Sequence, residues 1–303
     1  MLTEKKATKI KQMTPVSMVA MTLAGSGIAI LCISLLIPLC WCLYASLKGT
    51  LEYALDPFGW PKEFYFENYS KAFNKLVITS QTKRGIVKFD IWALIIHSII
   101  YSLGTPFIGT FFTMLMAYVI ARYPTKFSKI LYNFGIFLMV FQVIGSMPSS
   151  MQLNKAIGRY DNLAFWILTS PSGCFSGMMF LLFYGQFKGF SNTYAEAAQM
   201  DGAGHYTILG RIYLPMAIPL FCVQFVLGFI GTWNNYSVPL IWMPSYPNLA
   251  YGLYLFQHNA PSFGATQPEV LAGFVIGMCP SFLLYICMQK AIVEKTQIGG
   301  LKG

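Results

Sequence analysis

A chain of 303 residues that is 55% hydrophobic and only 11% charged carries about half the charge of an ordinary soluble domain, which excludes water as the main medium of its surface. Its net charge of +10 lies mostly outside the apolar stretches, with no dense Lys/Arg run and no zinc-finger spacing. Membrane topology accounts for that charge, and nucleic-acid binding does not.

The amino-terminal segment 1–22 carries Lys5, Lys6, Lys9 and Lys11 ahead of an apolar stretch that runs to residue 47, too long for a cleaved signal core. It is expected to stay in the cytoplasm. Six spans follow, over 23–47, 91–120, 130–145, 165–184, 218–243 and 271–292. Each is read as crossing a hydrocarbon core about 30 Å thick, where only a helix satisfies its own backbone. The expected fold class is therefore an all-α integral membrane protein with six transmembrane helices, its transmembrane domain covering 23–292. Pro148 interrupts the third span soon after its end, so that segment is expected to run on irregularly.

Positive residues orient the bundle. Arg122, Lys126 and Lys129, then Lys188 and Arg211, and then Lys290, Lys295 and Lys302 fall on the same side as the amino terminus. Both termini, including the tail 293–303, are thus expected to be cytoplasmic, with a cytoplasmic loop at 185–217. An outer loop at 49–90 holds most of the opposing charge, and Lys83-Arg84 there marks either a solvated turn or a partner contact. The seven cysteines, Cys32, Cys40, Cys42, Cys174, Cys222, Cys279 and Cys287, mostly fall in apolar windows. They read as small buried hydrophobes, and no metal site is expected. Within the spans, His97 is the one clear ionisable residue. Ion-driven carriers keep a charge near the midplane, so the motive force for transport is expected to come from elsewhere.

Between the fourth and fifth spans lies the most informative stretch, Glu196 to Pro219. Tyr194 to Met200 are good helix formers, and Asp201-Gly202 provides a stop because glycine adopts the left-handed geometry that closes a helix. A short surface helix followed by a tight turn is predicted. Glu196 and Asp201 offer acceptors to a partner, while Ala197, Ala198, Ala203 and the glycines allow close backbone approach. Ile208, Ile212, Leu214 and Met216 supply an apolar strip, and Pro215 suits the entry to the fifth span.

This stretch, Glu196-Ala197-Ala198, Asp201-Gly202-Ala203, then Arg211-Ile212, Leu214 and Pro215, resembles the coupling loop of bacterial ABC-importer permeases. Asn68-Tyr69, Ala117-Tyr118 with Ala121-Arg122, Trp233-Asn234-Asn235 and the tail Gly299-Gly300-Leu301-Lys302-Gly303 are similar to elements of the carbohydrate branch, the maltose-type inner-membrane permeases with six spans. The resemblance implies a type I ABC-importer permease fold in a bacterial inner membrane. It implies a heterodimer with a homologous permease, two ATPase subunits and an extracellular or periplasmic sugar-binding protein. ATP and Mg2+ would bind the partner ATPases, since this chain lacks the G-x-x-x-x-G-K-[ST] loop and is read as no enzyme, with no cofactor of its own. Glu196, Ala197, Ala198, Asp201, Gly202, Ala203, Gly204, Arg211 and Pro215 would couple to the ATPase.

Trp233, Asn234, Asn235 and Tyr236 combine apolar faces with amides and a hydroxyl, which suits either a sugar path or helix packing. Gly228, Gly231 and the Gly273/Gly277 pair read as close-packing positions. His205 is expected on the surface beside the coupling helix. The loop 77–89 is longer than the family's usual form, and Ser191-Asn192-Thr193 replaces its common approach to the motif, with Ser191 or Asn192 available as a cap. Competing readings are an ABC permease for an amino acid, phosphate or polyamine, an ion-coupled carrier or channel, and a structural scaffold.

Overall fold

Long apolar runs become long helices here and tolerate the single interior prolines Pro38, Pro106, Pro219 and Pro280. The computed structural model describes residues 15–82, 85–141 and 145–296. Lys5 to Lys11, the pair Lys83-Arg84 and the tail 299–303 lie outside the described residues. In chain order the helices are α1 Pro15–Ala45, α2 Thr50–Leu55, α3 Glu67–Lys75, α4 Ile91–Arg122, α5 Lys126–Val140, α6 Met147–Ala156 and α7 Leu163–Leu168. They continue as α8 Met178–Gly189, α9 Thr193–Met200, α10 His205–Ile208, α11 Leu214–Trp233, α12 Ser237–Trp242, α13 Leu249–His258 and α14 Gln267–Thr296.

Four helical stretches among the described residues are long and apolar enough to cross a membrane: Met21–Ala45, Ile91–Arg122, His205–Trp233 and Gln267–Gln289. The chain is a multi-pass membrane protein. The expected third and fourth spans are not long continuous helices. α5 has 15 residues, a rise of about 22 Å, short of the bilayer core. The window 165–184 breaks into α7, a 3-10 turn at Ser170–Gly173 that contains Pro171, and α8, which starts beyond Gly177 at φ 93°. The expected fifth span also stops early, at Trp233, and resumes as the separate α12.

The fold also contains a two-stranded antiparallel hairpin, β1 Ile78–Thr82 and β2 Gly85–Phe89, in the segment read from sequence only as a long loop. Ser80 Oγ on β1 donates to Pro244 O at 2.7 Å. His97 is structural: its Nδ1 lies 3.0 Å from Pro247 O, and its ring sits between Phe89 and Tyr246.

α4 is the central packing element, in contact with α8 and α11, and α11 packs in turn on α14. Gly228 makes the α4–α11 crossing possible, because a Cβ there would lie 2.8 Å from Pro106 Cβ. The Gly273/Gly277 pair receives the Leu253 methyls of α13, whereas a Cβ on Gly231 would meet nothing within 4 Å. Trp233 Nε1 donates to Gly277 O at 2.9 Å and ties α11 to α14. Of the cysteines only Cys42 is buried; Cys32, Cys40, Cys279 and Cys287 lie exposed on α1 and α14. The expectation of burial fails for these four because the two helices turn apolar faces outward, as a bilayer or a second subunit requires.

At the hairpin end, Asn68 Nδ2 donates to Ser46 O at 2.8 Å and to Lys48 O at 2.9 Å, and Tyr69 OH meets Ser46 Oγ at 2.8 Å. Two adjacent residues thereby staple α3 to the end of α1. Lys75 Nζ reaches Glu269 Oε2 at 2.7 Å and Gly264 O at 2.6 Å, fixing α3 to the start of α14. Asn68→Ala leaves two carbonyls without their buried donor, a loss of about 1–3 kcal/mol. The thermal unfolding midpoint of the purified protein in detergent is expected to fall by several degrees, and an unchanged midpoint would show that this staple is not limiting.

Candidate functional site

The exposed stretch around α9 is built from a helix that ends by a complete glycine-centred stop. Gly202 lies at φ 81°; its N–H donates to Gln199 O at 3.0 Å, and the Ala203 N–H reaches back to Ala198 O at 2.9 Å. These two bonds use up carbonyls that a helix end otherwise leaves open. Ala195, Ala198 and Ala203 pack inward against a core of Tyr118, Phe183, Phe187, Ile208 and Tyr213. Glu196, Ala197, Asp201, Gly202 and Gly204 all face solvent. Met200 is 85% exposed and Tyr206 91%, both large apolar side chains with nothing of their own chain over them. Among the described residues the carboxylates of Glu196 and Asp201 form no ion pair.

The second half of the stretch turns its apolar strip inward. Ile208 is buried, and Ile212 and Leu214 pack on the same core, so this strip faces the bundle and not a partner. α10 passes into α11 through a π-helical turn at Leu209–Tyr213 with no break in the rod. Arg211 is exposed on that turn, and Pro215 is the second residue of α11.

What holds α9 in place is Arg122, the last residue of α4. Its Nη2 donates to Phe190 O at 2.7 Å, its Nη1 donates to Asn192 Oδ1, and the guanidinium lies over the Tyr213 ring at 4.6 Å. Asn192 therefore serves the arginine and does not cap α9 with its side chain; Ser191 Oγ accepts from Thr193 N at 3.2 Å instead. His205 is exposed, and its Nδ1 lies 3.1 Å from Tyr123 OH. A cleft of about 270 Å³ opens between Arg122, Glu196, Gln199 and His205.

Trp233, Asn234, Asn235 and Tyr236 sit at the far end of α11, about 30 Å along its 20 residues from Leu214. The structure does not gather them on one face. Trp233 is buried, and Asn235 is spent on the backbone, its Oδ1 accepting from Val238 N and its carbonyl accepting from Asn248 Nδ2. Asn234 and Tyr236 remain exposed, Tyr236 stacked on Tyr254 with ring centroids 4.4 Å apart.

No protein-family model matches the chain. It is 25% identical over 272 residues to the diacetylchitobiose uptake system permease protein NgcG of Streptomyces coelicolor, covering 87% of this chain and 83% of that protein. It is 26% identical over 281 residues to the inner membrane ABC transporter permease protein YcjP of Escherichia coli, covering 91% of this chain and 95% of that one. A chain from the crystal structure of a bacterial ABC transporter involved in the import of the acidic polysaccharide alginate superposes with a TM-score of 0.72 at 20% identity, over 92% of this chain and 99% of its own. The protein has an ABC-importer fold.

Within this importer fold the sequence located α9 and its glycine stop but left Arg122 as one letter of a motif. The signal was present in the spacing of Tyr118 and Arg122, four residues apart at the end of α4, which places both on the helix face that meets Tyr213. Arg122→Met keeps an apolar stem over Tyr213 but removes both donors. Charge-assisted bonds contribute about 1.5–3 kcal/mol each, so amide exchange across residues 190–204 is expected to speed up at least tenfold while the α11 core stays protected. Equal exchange in the two proteins would show that the arginine does not hold this segment.

Proposed function

We propose that this chain is the permease subunit of a binding-protein-dependent ABC importer for a sugar or oligosaccharide, and that α9 is where ATP hydrolysis elsewhere is converted into its motion. The protein is a transport subunit and not an enzyme. The observation that carries the coupling role is the geometry of α9: a short helix rigidly closed at Gly202, anchored to two long helices through Arg122 and Tyr213, and bare on its outer face. Such an element is too small to bury its own exposed Met200 or the neighbouring Tyr206 of α10, and the Glu196 and Asp201 carboxylates stand ready for basic groups on a partner.

In this reading Glu196, Ala197, Asp201, Gly202 and Gly204 face a cytoplasmic ATPase, Ala198 and Ala203 seat the helix on the core behind them, and Arg211 and Pro215 lie at the turn into α11. Two ATPases bind ATP and Mg2+. A homologous permease completes a heterodimer, a sugar-binding protein delivers solute on the opposite side, and both termini are cytoplasmic in a bacterial inner membrane. The finer family assignment is the maltose type, with α5 and the broken α7–α8 stretch completing six passes as short or irregular segments enclosed by protein. Of the four aromatic and amide residues after α11, Asn234 and Tyr236 have the free surface to meet solute.

Competing transport classes are less well supported. At the hairpin end of the bundle His97 is committed to Pro247 and Glu269 to Lys75, which leaves these two unsuited to relaying ions. The curated relatives include permeases named for arabinooligosaccharides and maltodextrin, which favours a sugar over an amino acid, phosphate or polyamine.

Gly202 and Gly204 separate folding from docking. A Cβ at either would meet nothing within 4 Å, but Gly202 is left-handed, while Gly204 is extended at φ −75°, ψ 165°. Gly202→Val strains the stop itself. Gly204→Trp fits the backbone and only blocks a partner. ATPase stimulation by loaded binding protein is expected to fall at least fivefold in both, with an unchanged melting midpoint for Gly204→Trp. Full stimulation in Gly204→Trp would remove α9 from the coupling path.

A further inference from the structure

At the hairpin end of the bundle a guanidinium stands without a carboxylate. Arg159 follows α6 in a turn that is firmly held: Gly158 and Asp161 lie at φ 75° and 56°, and the Asp161 N–H donates to Trp242 O at 2.8 Å. The buried Asp161 carboxylate is already occupied, accepting from Ser245 N and from Ser245 Oγ, both at 2.7 Å. Arg159 makes no ion pair with it or with any other carboxylate among the described residues.

The surroundings of this cation are aromatic. Its guanidinium carbon lies 4.0 Å from the centroid of the Trp166 ring, and the Trp242 ring is 5.9 Å from that of Trp166. Its Nε is buried with no hydrogen-bond partner. Tyr101 of α4 packs in the same cluster, within electrostatic range of Arg159. It is only 3% exposed. Tyr101 lies ten residues into α4, about 15 Å along the helix axis. A guanidinium whose Nε is buried without a partner calls for an explanation in what it binds.

Stacking against an indole face leaves the in-plane N–H edge of a guanidinium available, and that edge matches the two oxygens of a carboxylate. A pyranose ring adds C–H faces for indoles and hydroxyls for a phenol, so few convergent polar groups among aromatic walls suffice to orient it. We propose that Arg159, Tyr101, Trp166 and Trp242 form a subsite for an acidic sugar, with the arginine taking the carboxylate of a uronic acid and the indoles taking the ring. This rests on the sugar-permease reading above and narrows its substrate class. A carboxylate from a second subunit would satisfy the arginine alone. The paired indoles beside the guanidinium favour a saccharide.

The test is a calorimetric titration of the full-length chain, with any copurifying permease, in lipid nanodiscs. Digalacturonate is the acidic probe and galactobiose its neutral match. The wild type is expected to bind digalacturonate at least tenfold more tightly than galactobiose. Arg159→Gln should abolish that preference by weakening the acidic sugar alone, and Arg159→Lys should restore part of it. A structural role would shift the melting midpoint without touching the ratio of the two affinities. A wild type with no preference for the acid, or a preference that survives Arg159→Gln, overturns the subsite. So does an Arg159→Gln chain that sheds its copurified permease, which assigns the guanidinium to a protein carboxylate. A wild type that takes galactobiose alone removes the acidic subsite and leaves the sugar-permease reading intact, whereas full stimulation in Gly204→Trp removes only the coupling role.

Discussion

The guanidinium of Arg122 is the point at which three parts of the chain meet. α4 ends on it, the link from α8 to α9 is bonded to it through Phe190 O and Asn192, and the π-helical turn into α11 lies beneath it through Tyr213. Planar, permanently charged and equipped with several donors, it serves a carbonyl, an amide and an aromatic face at once, which a lysine at the same place would not. Because α4 is also the helix on which α8 and α11 pack, Arg122 ties the segment leading into α9 directly to the centre of the bundle. Packed helices of this kind move as units.

The opposite end is built on a different principle. There the restraint comes from short polar staples between loops and helix ends: Asn68 to the end of α1, Lys75 to Glu269, Ser98 Oγ accepting from Leu249 N, and Asp161 to Ser245. Each fixes a short element or loop, two of them to a long helix through Ser98 of α4 and Glu269 of α14. The result is a frame of loops and short helices around Trp166, Trp242 and Tyr236, with aromatic faces and the Arg159 guanidinium left within it. α4 and α11 are the two rods common to both ends, and under the proposed coupling they would carry motion from α9 to this frame.

Much of this was legible in the residues themselves. The long spans announced themselves through uninterrupted apolar length, and the stop at Gly202 followed from what glycine alone does readily at positive φ. The broken passes were not legible, because an apolar window reports burial in lipid or protein and not backbone continuity; Pro171 and Gly177 were the available clues. The hairpin was overlooked because its β-branched residues Ile78, Thr79, Ile86 and Val87 sit within a polar, mixed-charge loop that masks their pairing. The tetrad at the end of α11 looked like one site in sequence. It is not one in space, since four consecutive residues leaving a helix point in different directions and Trp233 turns into the core. Arg159 escaped notice because its neighbours Trp166, Trp242 and Tyr101 come from three separate elements.

The central claim is that the bare face of α9 is where this subunit meets a nucleotide-hydrolysing partner. A photoreactive phenylalanine analogue placed at position 200, which is exposed and outside the Arg122 contacts, tests it most directly in native membranes. The account predicts a cross-link to an ATPase subunit whose yield changes when ATP is added. Cross-linking to lipid alone, or reaction of this position with an impermeant reagent applied from outside the cell, would contradict it.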